Sequence, residues 1–486
     1  MKNNTMRACF FLLSFIPAVV FAGSGITTPN PKLYSDAVLA DIANTATSKG
    51  AVSRTAFDKP SKSLSVSDFG VVGNGVTDDT VAIQAAFVNT RAKGGVSKKL
   101  YFPKGTYLIT KSITCGSNQV VEFDPGVVIN FVPPAPIQNY ALFGAAHQVN
   151  VVFSGNGATI NMTRAGVTVD GVAAAFFMYG SDNILIENFI INNSATDGII
   201  ITGDNTRSGP SSNVTVKNVV VNNSRRNGMS IISVKGMQVL GGSYNTSNGA
   251  AAGPWAGIDI EPNANCFLEN VVLLGVNTSG NAGAGIQFTP GALDGSAGNK
   301  FQVNVSGGRS YHDGTHNDYI SALWFISGSG ANKIYGDINI HDFTVDNPVA
   351  SGVRFYNWDA DKSPRVLLDG VKVYNPDHSS GAASNNDRAG FVISAETRQA
   401  ATTLGNIIMR NCHAEDTRVS ARMSFGMMLA TQPGRTLKNI RIEDPASINF
   451  ASSSKTDVYV QASSVPNGMV NVDVVYSTPR ASSNTK

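Results

Sequence analysis

The chain of 486 residues has few of the residues that build disulfide frameworks, metal centres or nucleic-acid surfaces. Beyond the first 22 residues only three cysteines remain, Cys115, Cys266 and Cys412, and they are too scattered for a disulfide framework. A single disulfide between two of them is an open alternative. The six histidines show no spacing typical of a metal site, so we expect no metal. Charged residues make up 15% of the chain and the formal net charge is +3, which argues against a nucleic-acid partner.

Long apolar runs are also missing. Beyond the N-terminus, no stretch approaches the roughly 18 apolar residues that a membrane-spanning helix requires. The N-terminus has Lys2 and Arg7, followed by a short apolar segment over residues 10–20 and small residues, a pattern typical of a secretory signal peptide. We therefore predict a signal peptide over residues 1–22, a leader over residues 23–62, and a secreted or periplasmic protein without a membrane anchor.

The chain does have a repeated phrase, in which a glycine is followed by an apolar-x-apolar segment. It occurs at Gly198, Gly228, Gly257 and Gly285, at spacings of 30, 29 and 28 residues. This period predicts a solenoid of stacked β-coils with one coil per repeat. Side chains alternate along a strand, so the third residue after each glycine is expected to face the interior and the second and fourth to face outward.

Stacking places the outward residues in columns with different contents. The second position after glycine holds Ile200, Ser230, Asp259 and Gln287, and the fourth holds Thr202, Ile232, Glu261 and Thr289. One coil therefore has two carboxylates side by side, Asp259 and Glu261. A further coil around Gly352 would add Arg354 to the Asp259 column and Tyr356 to the Glu261 column.

A second set of motifs precedes the coils. The segments 68–70, 73–84 and 102–107, in this order, resemble the N-terminal signature of the pectate-lyase-3 superfamily. The resemblance implies an all-β fold, a single-stranded right-handed parallel β-helix, as in polygalacturonase-like enzymes, mannuronan epimerases and phage tailspikes. It does not say which reaction occurs, because such a fold hosts hydrolases, lyases, epimerases and non-catalytic binders.

The same segments predict the organisation of the chain. Apolar spacing from Val81 to Phe87 predicts a helix near residues 78–93, which would cover the open end of the apolar core. The next segment, residues 100–109, predicts a hairpin. We predict one β-helix domain over residues 63–476 with this capping helix, followed by a flexible tail over residues 477–486.

The acids of the central coils are candidates for catalysis, because glycosidic bond cleavage commonly uses two carboxyl groups. The Cα atoms of Asp259 and Glu261 are expected about 7 Å apart, and side-chain rotation allows both the retaining and the inverting carboxyl separations. Proximity would raise the pKa of one carboxyl and make it the proton donor. Asp197, two coils earlier and about 10 Å away, is the third candidate.

Polar and aromatic side chains around these acids are candidates for substrate binding. They are Arg225, Arg226, Trp255, Gln287, His312, Arg354 and Tyr356. The arginines would suit an anionic sugar, Trp255 a stacking platform, and His312 a loop beside the same face. The alternative is that the acids are solvated surface groups or hold a calcium ion.

Comparison with individual families of the superfamily narrows the prediction. The segment 196–199 resembles the first acidic motif of polygalacturonases, but their paired aspartates would fall on Arg226-Asn227 and their His-Gly motif on Ala256-Gly257, and both are missing. A standard polygalacturonase mechanism is therefore not predicted. Residues 375–378 resemble an epimerase motif in scrambled order, so no residue roles are carried over.

We expect a secreted polysaccharide-active enzyme, and our first hypothesis is a glycoside hydrolase acting on an extended, acidic polysaccharide. One alternative is a lyase or C5-epimerase of uronic-acid polymers, which would need arginine or calcium near a base. Another is a non-catalytic exopolysaccharide-binding protein or adhesin. Under the hydrolase hypothesis we expect no cofactor. Under the lyase hypothesis a calcium ion is a possible cofactor. Whether the protein is a monomer or a homotrimer is open.

Overall fold

The structure is a computed structural model. It describes residues 63–90, 99–137, 140–167, 173–203, 209–249, 253–293, 300–316, 320–327, 333–378, 388–448, 457–461 and 468–477. The predicted signal peptide, the leader and the tail beyond residue 477 lie outside the described residues. Within the described residues, no helix is long and apolar enough to cross a lipid bilayer.

The chain winds as a coil whose successive turns stack in register. Each central turn contributes one strand to each of three sheets, in the repeating order sheet 3, sheet 1, sheet 2, and the strands pair in parallel with those of the neighbouring turns. This topology confirms the predicted single-stranded right-handed parallel β-helix.

The strands of the three sheets are as follows. Sheet 1 contains Ser63–Ser65, Lys99–Phe102, Gln119–Phe123, Val149–Met162, Asp182–Asn192, Ser211–Lys217, Val234–Leu240, Leu268–Leu274, Phe301–Ser306, Asp337–His341, Arg365–Asp369, Thr403–Arg410, Thr436–Glu443 and Met469–Val475. Sheet 2 shares the two long strands Val149–Met162 and Asp182–Asn192, and adds Asn74–Asp78, Thr106–Ile109, Val128–Phe131, Val220–Asn222, Ser243–Asn245, Asn277–Ser279, Arg309–Tyr311, Thr344–Asp346, Lys372–Tyr374, His413–Glu415 and Ala446–Ile448. Sheet 3 contains Ile113–Thr114, Tyr140–Ala146, Ala173–Tyr179, Ile199–Thr202, Met229–Ile231, Ile258–Ile260, Ile286–Phe288, Leu323–Ile326, Val353–Tyr356, Ala389–Ala395, Phe425–Thr431 and Val458–Gln461.

The core between the sheets is a stack of apolar side chains. The third residue after each repeated glycine lies in it, as predicted, and Ile201, Ile231, Ile260 and Phe288 are completely buried. The column continues with Phe325, whose ring stacks on Phe288 with the centroids 4.7 Å apart. Burial of these columns supplies the main driving force for stacking the coils.

The repeated glycines are required by close approach between coils. A Cβ atom on Gly198 would lie 2.6 Å from the carbonyl oxygen of Gly228, and one on Gly228 would lie 2.5 Å from the carbonyl oxygen of Gly257. The series continues at Gly257, 2.8 Å from the carbonyl oxygen of Gly285. Glycine therefore recurs in the sequence because neighbouring backbones stack too closely at this position to leave room for a side chain.

The N-terminal signature forms a compact unit. The described helices are the 3₁₀ turns Val66–Phe69 and Pro290–Ala292 and the α-helix Thr80–Thr90. The carboxylate of Asp79 turns back to accept the amides of Val72 and Gly73, and Asp78 accepts the amide of Thr80. The ring of Phe87 stacks on Phe143 with the centroids 5.8 Å apart. The end-capping role of this helix stays a prediction.

The predicted hairpin over residues 100–109 is wrong. Lys99–Phe102 lies in sheet 1 and pairs with Gln119–Phe123, whereas Thr106–Ile109 lies in sheet 2 and pairs with Val128–Phe131. Both pairings are parallel. The tight turn between the two strands is therefore a corner of one coil, because a corner and a hairpin use similar turn residues.

The three cysteines of the described region are free and buried. Burial raises the pKa of the Cys412 thiol to about 12, so this thiol stays protonated at neutral pH.

We expect Gly228→Ala to lower the free energy of unfolding by about 1–3 kcal/mol, because the added methyl group must push two coils apart. Urea or thermal unfolding measures the loss. Gly144→Ala is the matched control, since its Cβ would meet only the Ala141 side chain at 3.8 Å. Equal stability of the two variants would contradict this account of the repeat.

Candidate functional site

The site lies on the outer side of sheet 3, where the strand register is as predicted. Ile200, Ser230, Asp259 and Gln287 pair in succession along one column. The same column continues through Trp324 to Arg354, so the predicted position of Arg354 in the Asp259 column is confirmed. Three strand spacings, about 14 Å, separate Arg354 from Asp259.

This column points away from the core and is nevertheless buried. Only 4% of Asp259 is exposed, and Ser230, Gln287 and Arg354 are buried to a similar extent. The alternative of a solvated surface acid is therefore wrong for Asp259. A carboxyl group withdrawn from water in this way must be hydrogen-bonded or must hold a proton.

Asp197 is fully buried at the edge of sheet 3 and is held by the next coil. The Arg226 Nε donates to both carboxylate oxygens of Asp197 at 3.1 Å, and Nη2 donates to Oδ2 at 2.5 Å. The Ser230 hydroxyl donates to Oδ1 at 3.1 Å. This two-pronged pairing with a guanidinium fixes the orientation of Asp197.

Asn227 connects Asp197 to Asp259. Its Nδ2 lies 3.1 Å from Asp259 Oδ2 and 3.0 Å from the Ser230 hydroxyl, and its Oδ1 accepts the Ala256 amide. Sequence reasoning did not assign Asn227 or Ser230 to the site. The sequence did contain a signal for both residues, which was their position in the repeat. Asn227 directly precedes Gly228, and Ser230 lies in the Asp259 column.

Asp259 and Glu261 form a hydrogen-bonded carboxyl pair. Burial, the charges of Glu261 and Asp197, and the hydrogen bond to Glu261 raise the pKa of Asp259 well above its ordinary value, against the lowering effect of Arg226. Gln287 donates a further bond to Asp259 Oδ1 at 3.3 Å. Glu261 is half-buried and lies closer to solvent than Asp259.

This contact changes the expectation for the two carboxyl groups. Groups that hydrogen-bond each other are closer than the roughly 5–5.5 Å of retaining glycosidases or the 6.5–9.5 Å of inverting ones. Asp259 and Glu261 therefore form one carboxyl pair. Asp197 lies two coils away, and Ser230 and Asn227 connect it to Asp259.

Of the predicted substrate-binding residues, the structure brings Arg226 and Gln287 to the acids. Arg225, beside Arg226 in sequence, lies near Arg164. Trp255 is half-buried on the coil of Asp259, and its ring contacts His316 with the centroids 4.2 Å apart.

The remaining predicted residues lie elsewhere. His312 follows a strand of sheet 2 and contacts His378, with ring centroids 4.9 Å apart, so the structure does not group it with the acids. Arg354 is buried and its Nη2 lies 3.2 Å from Glu396 Oε1. Tyr356 is half-buried against the cluster of Trp324. Within the described residues, no group of three or more histidine, cysteine or acidic side chains is arranged to hold a metal ion.

Comparisons with known proteins agree with this fold. The family model described as rhamnogalacturonase A/epimerase, pectate lyase-like matches residues 63–288. Among solved structures, the A-module of the mannuronan C-5 epimerase AlgE4 of Azotobacter vinelandii is 14% identical with a TM-score of 0.57, and the match covers 84% of this chain and 99% of that chain. A family 28 exopolygalacturonase of Yersinia enterocolitica is 15% identical with a TM-score of 0.51, covering 86% and 78%. These findings confirm the resemblance to the pectate-lyase superfamily and its β-helix fold.

Matches to curated proteins are shorter. The plasmin and fibronectin-binding protein A of Streptococcus pneumoniae is 39% identical over 66 residues, which cover 14% of this chain and 9% of that protein. The uncharacterized protein YclG of Bacillus subtilis is 28% identical over 158 residues, which cover 29% and 26%. The chain thus matches less than a third of the length of either relative.

We expect the Asp259 carboxyl to make stability depend on pH. Because its pKa is raised in the folded state, the folded protein keeps a proton that the unfolded chain releases above about pH 4. The free energy of unfolding therefore falls as pH rises from about 4 to the raised pKa. Asp259→Asn removes this term, so the melting temperature of the variant minus that of the wild type should rise across this range. A difference that stays constant with pH would contradict the protonated assignment.

Arg226→Met should destabilise the protein, because it leaves the Asp197 charge buried without its partner. We expect a loss of about 2 kcal/mol, less than for a fully buried pair because 37% of the Arg226 side chain is exposed. The double variant Arg226→Met/Asp197→Asn should recover most of the loss in urea unfolding. Arg309→Met, which breaks the more exposed pair with Asp346, is the control and should cost less than about 1 kcal/mol.

Proposed function

We propose that the protein is a glycoside hydrolase that cleaves an extended polysaccharide at the carboxyl pair of Asp259 and Glu261. The observation that supports this proposal most strongly is the hydrogen-bonded network in which Ser230 and Asn227, on the coil between them, connect Asp197 to Asp259. Burial and the neighbouring charge of Glu261 raise the pKa of Asp259, and Asp197 is paired with the guanidinium of Arg226. The signal peptide predicted over residues 1–22 supports action outside the cytoplasm.

The roles follow from protonation and exposure. The pair of Asp259 and Glu261 is the general acid, and Glu261 presents it to substrate because its side chain lies nearer to solvent. Asp197 is the second carboxyl group. It is fully buried, so it would act through the Ser230 hydroxyl, which donates to it and could pass on a proton taken from water.

A uronate lyase or C5-epimerase is the second candidate, because the chain shares its fold with the A-module of the epimerase AlgE4. Such an enzyme needs a cation opposite the uronate carboxylate and a base at the C5 proton. Of the three arginines predicted for this role, two are engaged with acids, Arg226 with Asp197 and Arg354 with Glu396, and the third, Arg225, lies near Arg164. Calcium would have to supply the cation in that case, whereas the hydrolase uses the protein's own acids.

A non-catalytic adhesin is the third candidate. The short match to the plasmin and fibronectin-binding protein A favours it, although it covers only 9% of that protein. An adhesin would not require a protonated carboxyl pair in contact with a second carboxylate site.

The test follows both new reducing ends and absorbance in the unsaturated-uronate band over a panel of neutral and acidic polysaccharides. We expect reducing ends without absorbance, and a loss of about 10²- to 10⁴-fold in kcat for Asp259→Asn and for Glu261→Gln. Glu269→Gln is the matched control, because Glu269 lies on the same coil but in sheet 1, beside Lys235.

The other outcomes separate the candidates. Absorbance that grows with the reducing ends would identify a lyase. Conversion of one uronate into its C5 epimer without chain cleavage would identify an epimerase. Binding that all three amide variants retain, with no turnover of any polymer, would leave the adhesin.

A further inference from the structure

Between Tyr179 and Tyr356, half-buried side chains form a stripe along sheet 3, at the fourth position after the repeated glycine or after the alanine that replaces it in two coils. The outer stripe consists of Tyr179, Thr202, Ile232, Glu261, Thr289, Ile326 and Tyr356. All but Thr202 are half-buried, whereas the adjacent column of Asp259 is buried. Backbone bonds from Ile232, Glu261 and Thr289 continue the sheet register along the stripe. A ligand that approaches sheet 3 therefore meets the outer stripe first.

The outer stripe is symmetric about its acid. Tyr179 lies three coils before Glu261 and Tyr356 lies three coils after it, so each aromatic ring is about 14 Å from the acid along the axis. Between these ends the stripe offers threonine hydroxyls and isoleucine side chains. Glu261 is the one charged residue among its seven members.

Both aromatic rings are supported from the side. The Tyr179 ring lies nearly parallel to that of Phe177, at 18° and 6.2 Å, and the His147 ring meets it edge-on at 5.3 Å. Tyr356 packs on the buried cluster of Trp324. Rings fixed in this way lose little conformational freedom on binding, and their faces suit the apolar faces of sugar rings.

The charge distribution limits the substrate. Three carboxyl groups lie at the centre, and the guanidinium of Arg226 is shared with Asp197. Arg354 is buried and paired with Glu396. A polyuronate along the outer stripe would bring its carboxylates towards Glu261 in a half-buried position, where like charges repel more strongly than in water. The expectation of an acidic substrate depended on these two arginines and on Arg225, which lies near a second cation, Arg164.

We propose that the outer stripe binds a linear, uncharged polysaccharide along the axis of the β-helix, with sugar rings stacked on Tyr179 and Tyr356 and the chain passing over Glu261. The part of this inference that places the cleaved bond at Glu261 rests on the proposed function. The binding of the polysaccharide does not depend on cleavage.

The experiment uses the full-length Asp259→Asn protein, which keeps the substrate intact during a titration. Hexasaccharides of the cello, xylo and manno series and hexamers of galacturonate and mannuronate are titrated by calorimetry. We expect at least one neutral series to bind more tightly than both uronates. Tyr179→Ala and Tyr356→Ala should each weaken that binding about tenfold, and the corresponding phenylalanine variants should retain it.

Tyr311→Ala is the matched control, because Tyr311 is an exposed tyrosine on sheet 2 and its loss should leave the affinity unchanged. Unfolding midpoints of all variants show whether the fold is retained. Preference for the uronates, no binding to any hexasaccharide, or unchanged affinity in both alanine variants would overturn the inference.

Failure of this inference is distinguishable from failure of the proposed function. Neutral sugars that bind through both tyrosines, without new reducing ends in the wild type, would retain the binding site and refute the hydrolase. Cleavage that is lost in Glu261→Gln but unaffected by either tyrosine variant would retain the hydrolase and refute the stacking platforms.

Discussion

The in-register stacking of each coil on the next is the constraint on which the rest of the structure depends. Parallel backbone bonds hold the coils about 4.8 Å apart, and the repeated glycines let neighbouring backbones approach without a side chain between them. A side chain at one position therefore has its equivalents directly before and after it. Ser230, Asp259 and Gln287 interact for this reason, although they are about 30 residues apart in sequence.

Stacking also forces acids from several coils into one poorly solvated region, and the protein stabilises them in two ways. Asp197 is paired with Arg226, which lies against both of its oxygens. Asp259 is hydrogen-bonded to Asn227 and Gln287, and burial and the charge of Glu261 raise its pKa. Ion pairing and a raised pKa thus give the two buried carboxyl groups different environments, a pattern that acid and base chemistry uses.

The sequence was sufficient to predict the features that depend on the repeat. The interior residues and the place of Arg354 in the Asp259 column follow from period and alternation alone. The contacts of Arg226 and Arg354 could not be predicted from the repeat. Arg226 lies in a turn before the strand. Glu396, the partner of Arg354, comes from a coil that is reached by a longer connection. The false hairpin has a similar origin, since local turn residues do not show which sheet the next strand joins.

The reaction of such a fold is decided by a few positions around the strands of sheet 3, because the backbone tolerates many outer side chains. Proteins with 14–15% identity share the fold with this chain, which leaves nearly all of these positions free to differ. Here the two positions before Gly228 hold Arg226 and Asn227, a cation and an amide that organise acids supplied by neighbouring coils. The buried column and Glu261 of the outer stripe together set the environment of Asp259. The other members of the stripe can therefore change while the contacts of Asp259 with Asn227, Gln287 and Glu261 are kept.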